Sequence, residues 1–299
     1  MIEKSSVKPA NRISVAGLHH VPGKGKVPGM IAARSACFKK VMKRLSILTI
    51  IMLFLVACAG PVRMSTPSPT LTPAPTPECH QSGTTKADKV FFPESGETHA
   101  FMVYLPPCYS EYGDQTYPVL YWTAAGGPEI FATSDRLIRQ GDIPAFIIIM
   151  VNISPEKGYG ADAQIVDRVV PYIDSHYRTR ADRPYRSITG ISHGAAIAVR
   201  AAFRPPNVFG RVAVLSGGIA DGEQEKFTGW ISSMPPGQRP AVLVDVADQD
   251  GIIVLTHYLT DLLDKLSYPY TFTHAPGNHN SEYWGSHMVD FLKWLIPAH

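Results

Sequence analysis

Between Arg186 and Phe203 the chain passes from a strand-like segment (Arg186-Ser187-Ile188-Thr189) to a small-residue helical run (Ala195 to Phe203) through only Gly190-Ile191-Ser192-His193-Gly194. So sharp a passage leaves no room for Cβ atoms at its shoulders. Glycines two positions either side of the serine remove them, and the serine between is held in a strained backbone conformation. A serine presented on a strand-to-helix turn has the placement that a nucleophile requires.

Around this turn, strand-like and helix-like segments alternate. Val119-Leu120-Tyr121-Trp122 reads as a strand, and Ala145 to Val151 is an unbroken apolar run, as expected of a strand covered on both faces. Ile165 to Tyr177 has helical spacing and precedes the strand leading to Ser192. Val212 to Leu215 and Ala241 to Val246 read as further strands. Ile252, Leu255, Leu259, Leu262 and Leu266 mark an amphipathic helix. Tyr270 to Thr273 reads as a last strand, and Met288, Phe291, Leu292 and Leu295 as a closing helix. This alternation predicts an α/β fold with a mostly parallel central sheet flanked by helices on both faces. Val103-Tyr104-Leu105 is expected to begin an antiparallel edge. The polar, Pro/Gly-containing segment Ala220–Arg239 reads as a surface insertion near the site.

The formal charge of +3 does not belong to this domain. Residues 1–44 hold ten Lys/Arg against the single acid Glu3, whereas residues 58–299 hold 18 basic and 24 acidic side chains, a net of −6. No basic stripe with interleaved aromatics follows, so nucleic acid is not an expected partner. Met42-Lys43-Arg44 precedes the thirteen mostly apolar residues Leu45–Ala57. That is shorter than the about 20 residues a spanning helix needs, and it fits a signal peptide. Leu55-Val56-Ala57-Cys58-Ala59-Gly60 resembles the lipobox of bacterial lipoproteins, which implies lipidation at Cys58 and an anchored, extracytoplasmic protein. Residues 1–41 then read as a spurious or disordered extension, 42–57 as the signal peptide, 58–79 as a Pro/Thr-rich linker and 80–299 as the globular domain. The Pro-dense stretch Thr66 to Pro77 favours extended, solvated backbone suited to a spacer.

With Cys37 in the N-terminal extension and Cys58 the lipidation site, two of the four cysteines remain, Cys79 and Cys108, flanking the first strands of an exported domain. They are a candidate disulfide, worth about 3 kcal/mol for a loop of about 30 residues. Their spacing fits no metal motif, and no metal or organic cofactor is expected.

A serine hydroxyl needs a base within hydrogen-bond reach, and that base needs an acceptor to fix its tautomer. Loops leaving the carboxyl ends of parallel strands share one edge of the sheet. After Ala241–Val246 the chain supplies Ala247-Asp248-Gln249-Asp250-Gly251, hence two candidate acids. After the last strand it supplies Pro276-Gly277-Asn278-His279. His274 lies on that strand itself and reads as structural.

In several segments the chain resembles the esterase D/enterochelin esterase-like branch of the α/β-hydrolases, which includes feruloyl esterases, S-formylglutathione hydrolases and mycolyltransferases. The resemblance covers residues 88–299. It runs through Val103-Tyr104-Leu105-Pro106-Pro107 with Tyr109, then Tyr117 to Tyr121, Arg186 to Ser192, Phe209-Gly210, Leu215-Ser216-Gly217 and Pro276-Gly277-Asn278-His279 with Trp284. It implies an α/β-hydrolase fold with Ser192 as nucleophile, His279 as general base and acid, and Asp250 as orienting carboxylate. Asp250 is preferred to Asp248 because the family's acid follows a small residue, here Ala247, by three positions. The oxyanion hole is expected to take the backbone N–H groups of His193 and Gly126, with the His193 side chain packed nearby. Here the sequence departs from the family: Thr123-Ala124-Ala125-Gly126-Gly127 stands where His-Gly precedes a glycine-rich turn. The implied activity is hydrolysis of a small-molecule or polysaccharide-linked ester. Acyl transfer to a sugar hydroxyl, or a binding protein without catalysis on the same scaffold, are the alternatives. Phe131, Phe227, Trp230, Tyr283 and Trp284 are candidate lining for an acyl or aromatic pocket.

Overall fold

Eight strands form one sheet in the order β1-β2-β4-β3-β5-β6-β7-β8. They are β1 (Thr84–Phe92), β2 (Glu97–Leu105), β3 (Val119–Trp122), β4 (Ile147–Val151), β5 (Arg186–Ile191), β6 (Arg211–Leu215), β7 (Ala241–Ala247) and β8 (Thr271–Ala275). The computed structural model describes residues 81–93, 96–110, 113–123, 128–151 and 160–297. Cys58, Cys79, Gly126 and the leader and linker segments predicted from sequence lie outside these residues.

β1 pairs antiparallel with β2, and β2 antiparallel with β4, while β4, β3, β5, β6, β7 and β8 run parallel. The expected edge at Val103–Leu105 is therefore one strand too far in. β2 is covered by β1, which pairs with it residue for residue from Thr84↔Leu105 to Phe92↔Glu97.

The helices are α1 (Pro128–Arg139), α2 (161–176), α3 (His193–Phe203), α4 (Gln224–Ser233), α5 (Ile253–Lys265) and α6 (Ser281–Leu295). Within α2, Ile165–Val169 form a π-helical turn just before Pro171. Proline lacks an N–H and its ring crowds the carbonyl four residues back, so a widened turn there keeps the helix continuous.

Side chains alternate along the central strands and build two cores. On one face Val119, Tyr121, Ile149, Ile188, Val212, Val214 and Val244 pack with residues of α2, α3, α4 and α5. On the other, Leu120, Trp122, Ile148, Ala213, Leu215 and Leu243 pack with α1 and α6. Segment Ala220–Arg239 is not a surface insertion: α4 lies within it, with Phe227 at 0% and Ile231 at 1% exposure. Phe227 meets Phe203 of α3 edge-on at 6.0 Å, so it belongs to the core and not to a pocket. Cys108 is buried and disulfide-bonded, with its expected partner Cys79 outside the described residues.

The chain runs from β3 leftward to β4 and then crosses to β5 on the right. The strand order thus reverses between β3 and β5, and the crevice beyond the carboxyl ends of strands at such a reversal is where α/β proteins bind ligands.

Candidate active site

Ser192 stands at that reversal, immediately after β5, with φ 57° and ψ −120°. This backbone conformation is costly for a residue with a Cβ and persists only where its surroundings enforce it. Here they do. The Ser192 N–H donates to the Leu215 carbonyl of β6 at 2.9 Å, and its own carbonyl accepts from Ala195 at 3.0 Å in the first turn of α3. A Cβ at Gly190 would lie 2.3 Å from Thr123 Oγ1 and 2.4 Å from the Gly194 carbonyl carbon, so no larger residue fits this shoulder of the turn.

His279 enters from the loop between β8 and α6. Its Nε2 lies 3.0 Å from Ser192 Oγ, and its Nδ1 lies 3.0 and 2.9 Å from the two carboxylate oxygens of Asp250. Asp250 comes from the loop between β7 and α5 and its side chain is fully buried. Its Oδ1 also accepts the Ile252 N–H at 2.9 Å, which fixes the carboxylate's rotation. Asp248, the other acid considered, is exposed and accepts the Gly277 N–H at 3.0 Å, so it fastens the histidine loop from below without touching the imidazole. Two backbone bonds, Asp248 N–H to Ala275 O at 3.0 Å and Gln249 N–H to Gly277 O at 3.1 Å, lace the two loops together.

The imidazole has a further support, from a residue that the sequence offered only as candidate pocket lining. Trp284, on the first turn of α6, meets the His279 ring edge-to-face at 5.0 Å and 88°, and its indole N–H donates to Ser216 Oγ at 2.8 Å. Ser216 is fully buried just after β6, with φ 48°. Both residues stand in the segments that carried the family resemblance, but the 68 positions separating them hid the pairing.

Behind this layer lies Asp245 on β7, 2% exposed, accepting from the Thr273 hydroxyl at 2.6 Å. Burial holds its carboxyl above the usual range, against the lowering effects of Thr273, Tyr283, His287 and His274. Tyr283 is itself buried, and its phenol is pushed up by burial and by the Asp245 carboxylate. Tyr283 therefore forms the floor under the histidine loop, with its ring against Gly277, and does not line a pocket.

His193, expected to pack its side chain nearby, is exposed. Its amide belongs to the first turn of α3, where N–H groups have no partner within the helix and the dipole favours negative charge. Thr123 stands where the resemblance implied a histidine, and it supplies a different fastening. Its N–H donates to Thr189 O at 2.9 Å, and its hydroxyl lies 3.1 Å from Thr189 O and 2.7 Å from Gly194 O. The end of β3 is thereby tied to both sides of the serine turn. Phe131 stacks on Tyr104 at 5.8 Å, and Trp230 packs on Phe227 at 5.3 Å. Of the five aromatics singled out in the sequence, Trp284 is the one whose ring meets that of His279.

The "Putative esterase" family model matches residues 93–228, a span that includes Ser192 and stops before Asp250 and His279. An endo-1,4-beta-xylanase/feruloyl esterase of Xylanibacter ruminicola is 29% identical over 161 residues, covering 46% of this chain but only 22% of that protein. Among solved structures, a ferulic acid esterase superposes with a TM-score of 0.63 at 22% identity, covering 72% of this chain and 98% of its own. The feruloyl esterase module from Clostridium thermocellum, complexed with sinapinate, gives 0.63 at 17% identity, covering 78% and 95%. The described domain has the α/β-hydrolase fold of these esterases, and its residues 93–228 carry the sequence pattern of the esterase family.

Proposed function

We propose that the chain is a serine carboxylic ester hydrolase working through Ser192, His279 and Asp250. The observation that carries this reading is the imidazole held between a strained serine at 3.0 Å and a buried carboxylate at 2.9 Å. Asp250 accepts the proton on Nδ1, which leaves Nε2 bare and facing the hydroxyl. As Ser192 Oγ attacks the ester carbonyl, its proton passes to Nε2, and Asp250 stabilises the imidazolium. Negative charge developing on the carbonyl oxygen meets the His193 amide at the head of α3, with Gly126 as the second donor. Collapse of the tetrahedral intermediate expels the alcohol, which takes the proton from Nε2 and leaves an acyl-enzyme. Water then attacks, again giving a proton to Nε2, and the acid departs as Ser192 Oγ recovers its hydrogen.

The substrate class we infer is an aromatic acyl ester of the feruloyl type, on the strength of the feruloyl esterases among the relatives. The lipobox-like Cys58 adds an extracytoplasmic, membrane-anchored setting, where such esters occur on exogenous polysaccharide. The test is steady-state turnover of p-nitrophenyl acetate, methyl ferulate and methyl sinapate by the purified protein. The expected result is hydrolysis of all three, with kcat/KM favouring the hydroxycinnamates. No hydrolysis of any ester would overturn the proposal, and preference for acetate alone would overturn the acyl class.

A further inference from the structure

A second cavity, of about 500 Å³, lies at the opposite edge of the sheet from Ser192. Its walls include Arg211, Ala241 and Thr271, the first residues of β6, β7 and β8, whereas Ser192, Asp250 and His279 follow the far ends of β5, β7 and β8. It is separate from the proposed catalytic crevice, and its volume is that of ordinary small-molecule sites.

Its chemistry is unlike the rest of an acidic domain. Arg211 and Arg239 both line it, and no Asp or Glu does. Several other arginines with partly buried side chains have acceptors: Arg186 with Asp174, Arg200 with Glu223, Arg204 with Asp162, and Arg183 with the carbonyls of Phe209 and Gly237. Arg239 has no carboxylate partner among the described residues; its buried Nε lacks an acceptor, as do those of Arg186 and Arg204, and its guanidinium lies 5.6 Å from the centre of the Tyr268 ring. Arg211 is stacked 5.3 Å over the Trp294 ring and reaches only the Trp294 carbonyl, at 3.4 Å. Burial without a carboxylate pulls its pKa below the ordinary value. A buried guanidinium N–H left without an acceptor is destabilising, and the planar fork matches carboxylate or phosphate oxygens. Tyr270 adds a further aromatic wall.

We propose that this cavity is a second ligand site that takes a ring-bearing oxyanion, with a carboxylate or phosphate held by Arg211 and Arg239 and the ring against the aromatic walls. The two sources of that oxyanion are separated by titration calorimetry of the full chain with glucuronate, glucose 6-phosphate and glucose. At least one anionic sugar is expected to bind saturably and at least about tenfold more tightly than glucose. Arg239→Gln, on a loop, and Arg211→Gln are each expected to weaken that binding by about tenfold or more, leaving p-nitrophenyl acetate turnover within about twofold. Should Arg211→Gln fail to fold, Arg239→Gln decides alone. Binding by Ser192→Ala protein is expected to equal wild type, so the site stands or falls independently of the esterase reading. Equal binding of all three sugars, no binding of any, or binding indifferent to Arg239→Gln would overturn the proposal.

Discussion

Asp250→Asn exchanges one carboxylate oxygen for an NH₂ group and is expected to remove nearly all turnover, for a reason legible in the hydrogen bonds. Ile252 N–H requires an acceptor at the Oδ1 position, 2.9 Å away, so the asparagine oxygen settles there and its NH₂ takes the Oδ2 position. That NH₂ then faces His279 Nδ1, at the 2.9 Å now spanned by an N–H to oxygen bond. The Oδ1 position, 3.0 Å from Nδ1, already accepts from Ile252, so the repulsion between the two donors is best relieved when the imidazole moves its proton to Nε2, and this tautomer presents a donor to Ser192 Oγ where a base is needed. The imidazolium also loses its buried counter-charge. A tautomer error of this kind costs about 10⁴ in kcat, or about 5.5 kcal/mol of barrier. Asp248→Asn is the matched control. It keeps an acceptor for Gly277 N–H, touches no imidazole, and is expected to lower kcat by less than about tenfold. Stopped-flow and steady-state kinetics on p-nitrophenyl acetate, with thermal melts to verify folding, read both. A folded Asp250→Asn protein within about tenfold of wild-type kcat, or an Asp248→Asn protein more impaired than it, would refute the reasoning.

Trp284→Phe keeps an aromatic edge near His279 but deletes the indole N–H that Ser216 accepts, so the imidazole loses its tether while substrate contacts stay. A fall in kcat of about tenfold with little change in KM is expected, and an unchanged kcat would show that Trp284 only packs. Asp245→Asn tests the buried carboxylate behind the site. Because the folded protein holds that acid above its ordinary pKa, ionising it disfavours the fold, and the penalty grows as pH rises through the window above the unfolded value. Asparagine is neutral throughout, so the variant is expected to melt higher than wild type at pH 7–8, with the gap closing towards about pH 3.5. Melting curves across that range that show wild type the more stable at neutral pH would contradict this sign.

The central sheet was readable because β3, β4 and β6 are buried on both faces and appear as apolar runs, while β5, with Arg186, Ser187 and Thr189 among its buried residues, was marked by the glycine-flanked serine turn that ends it. β1 was not, since only Val90 and Phe92 of its nine residues are buried and the rest reads as polar loop. α4 escaped for a similar reason: Phe227 and Ile231, one turn apart, are its only buried residues, set among polar neighbours and a glycine. At the site, the order of serine, acid and histidine along the chain named the residues that the structure brings into one hydrogen-bonded row. Choosing between Asp248 and Asp250 rested on resemblance, because both follow β7 and only the fold reveals which one faces the ring. The tether from Trp284 to Ser216, and the use of Thr123 where a histidine was expected, depend on contacts between distant segments that no local pattern encodes.

Esterase chemistry at this site requires that Ser192 be chemically activated. Incubation with a fluorophosphonate probe, followed by mass spectrometry of the labelled peptide, measures this directly. The expected result is stoichiometric phosphonylation at Ser192, abolished in Ser192→Ala and slowed by orders of magnitude in His279→Ala. Absence of the adduct from folded wild-type protein, or a label carried by another residue, would contradict it.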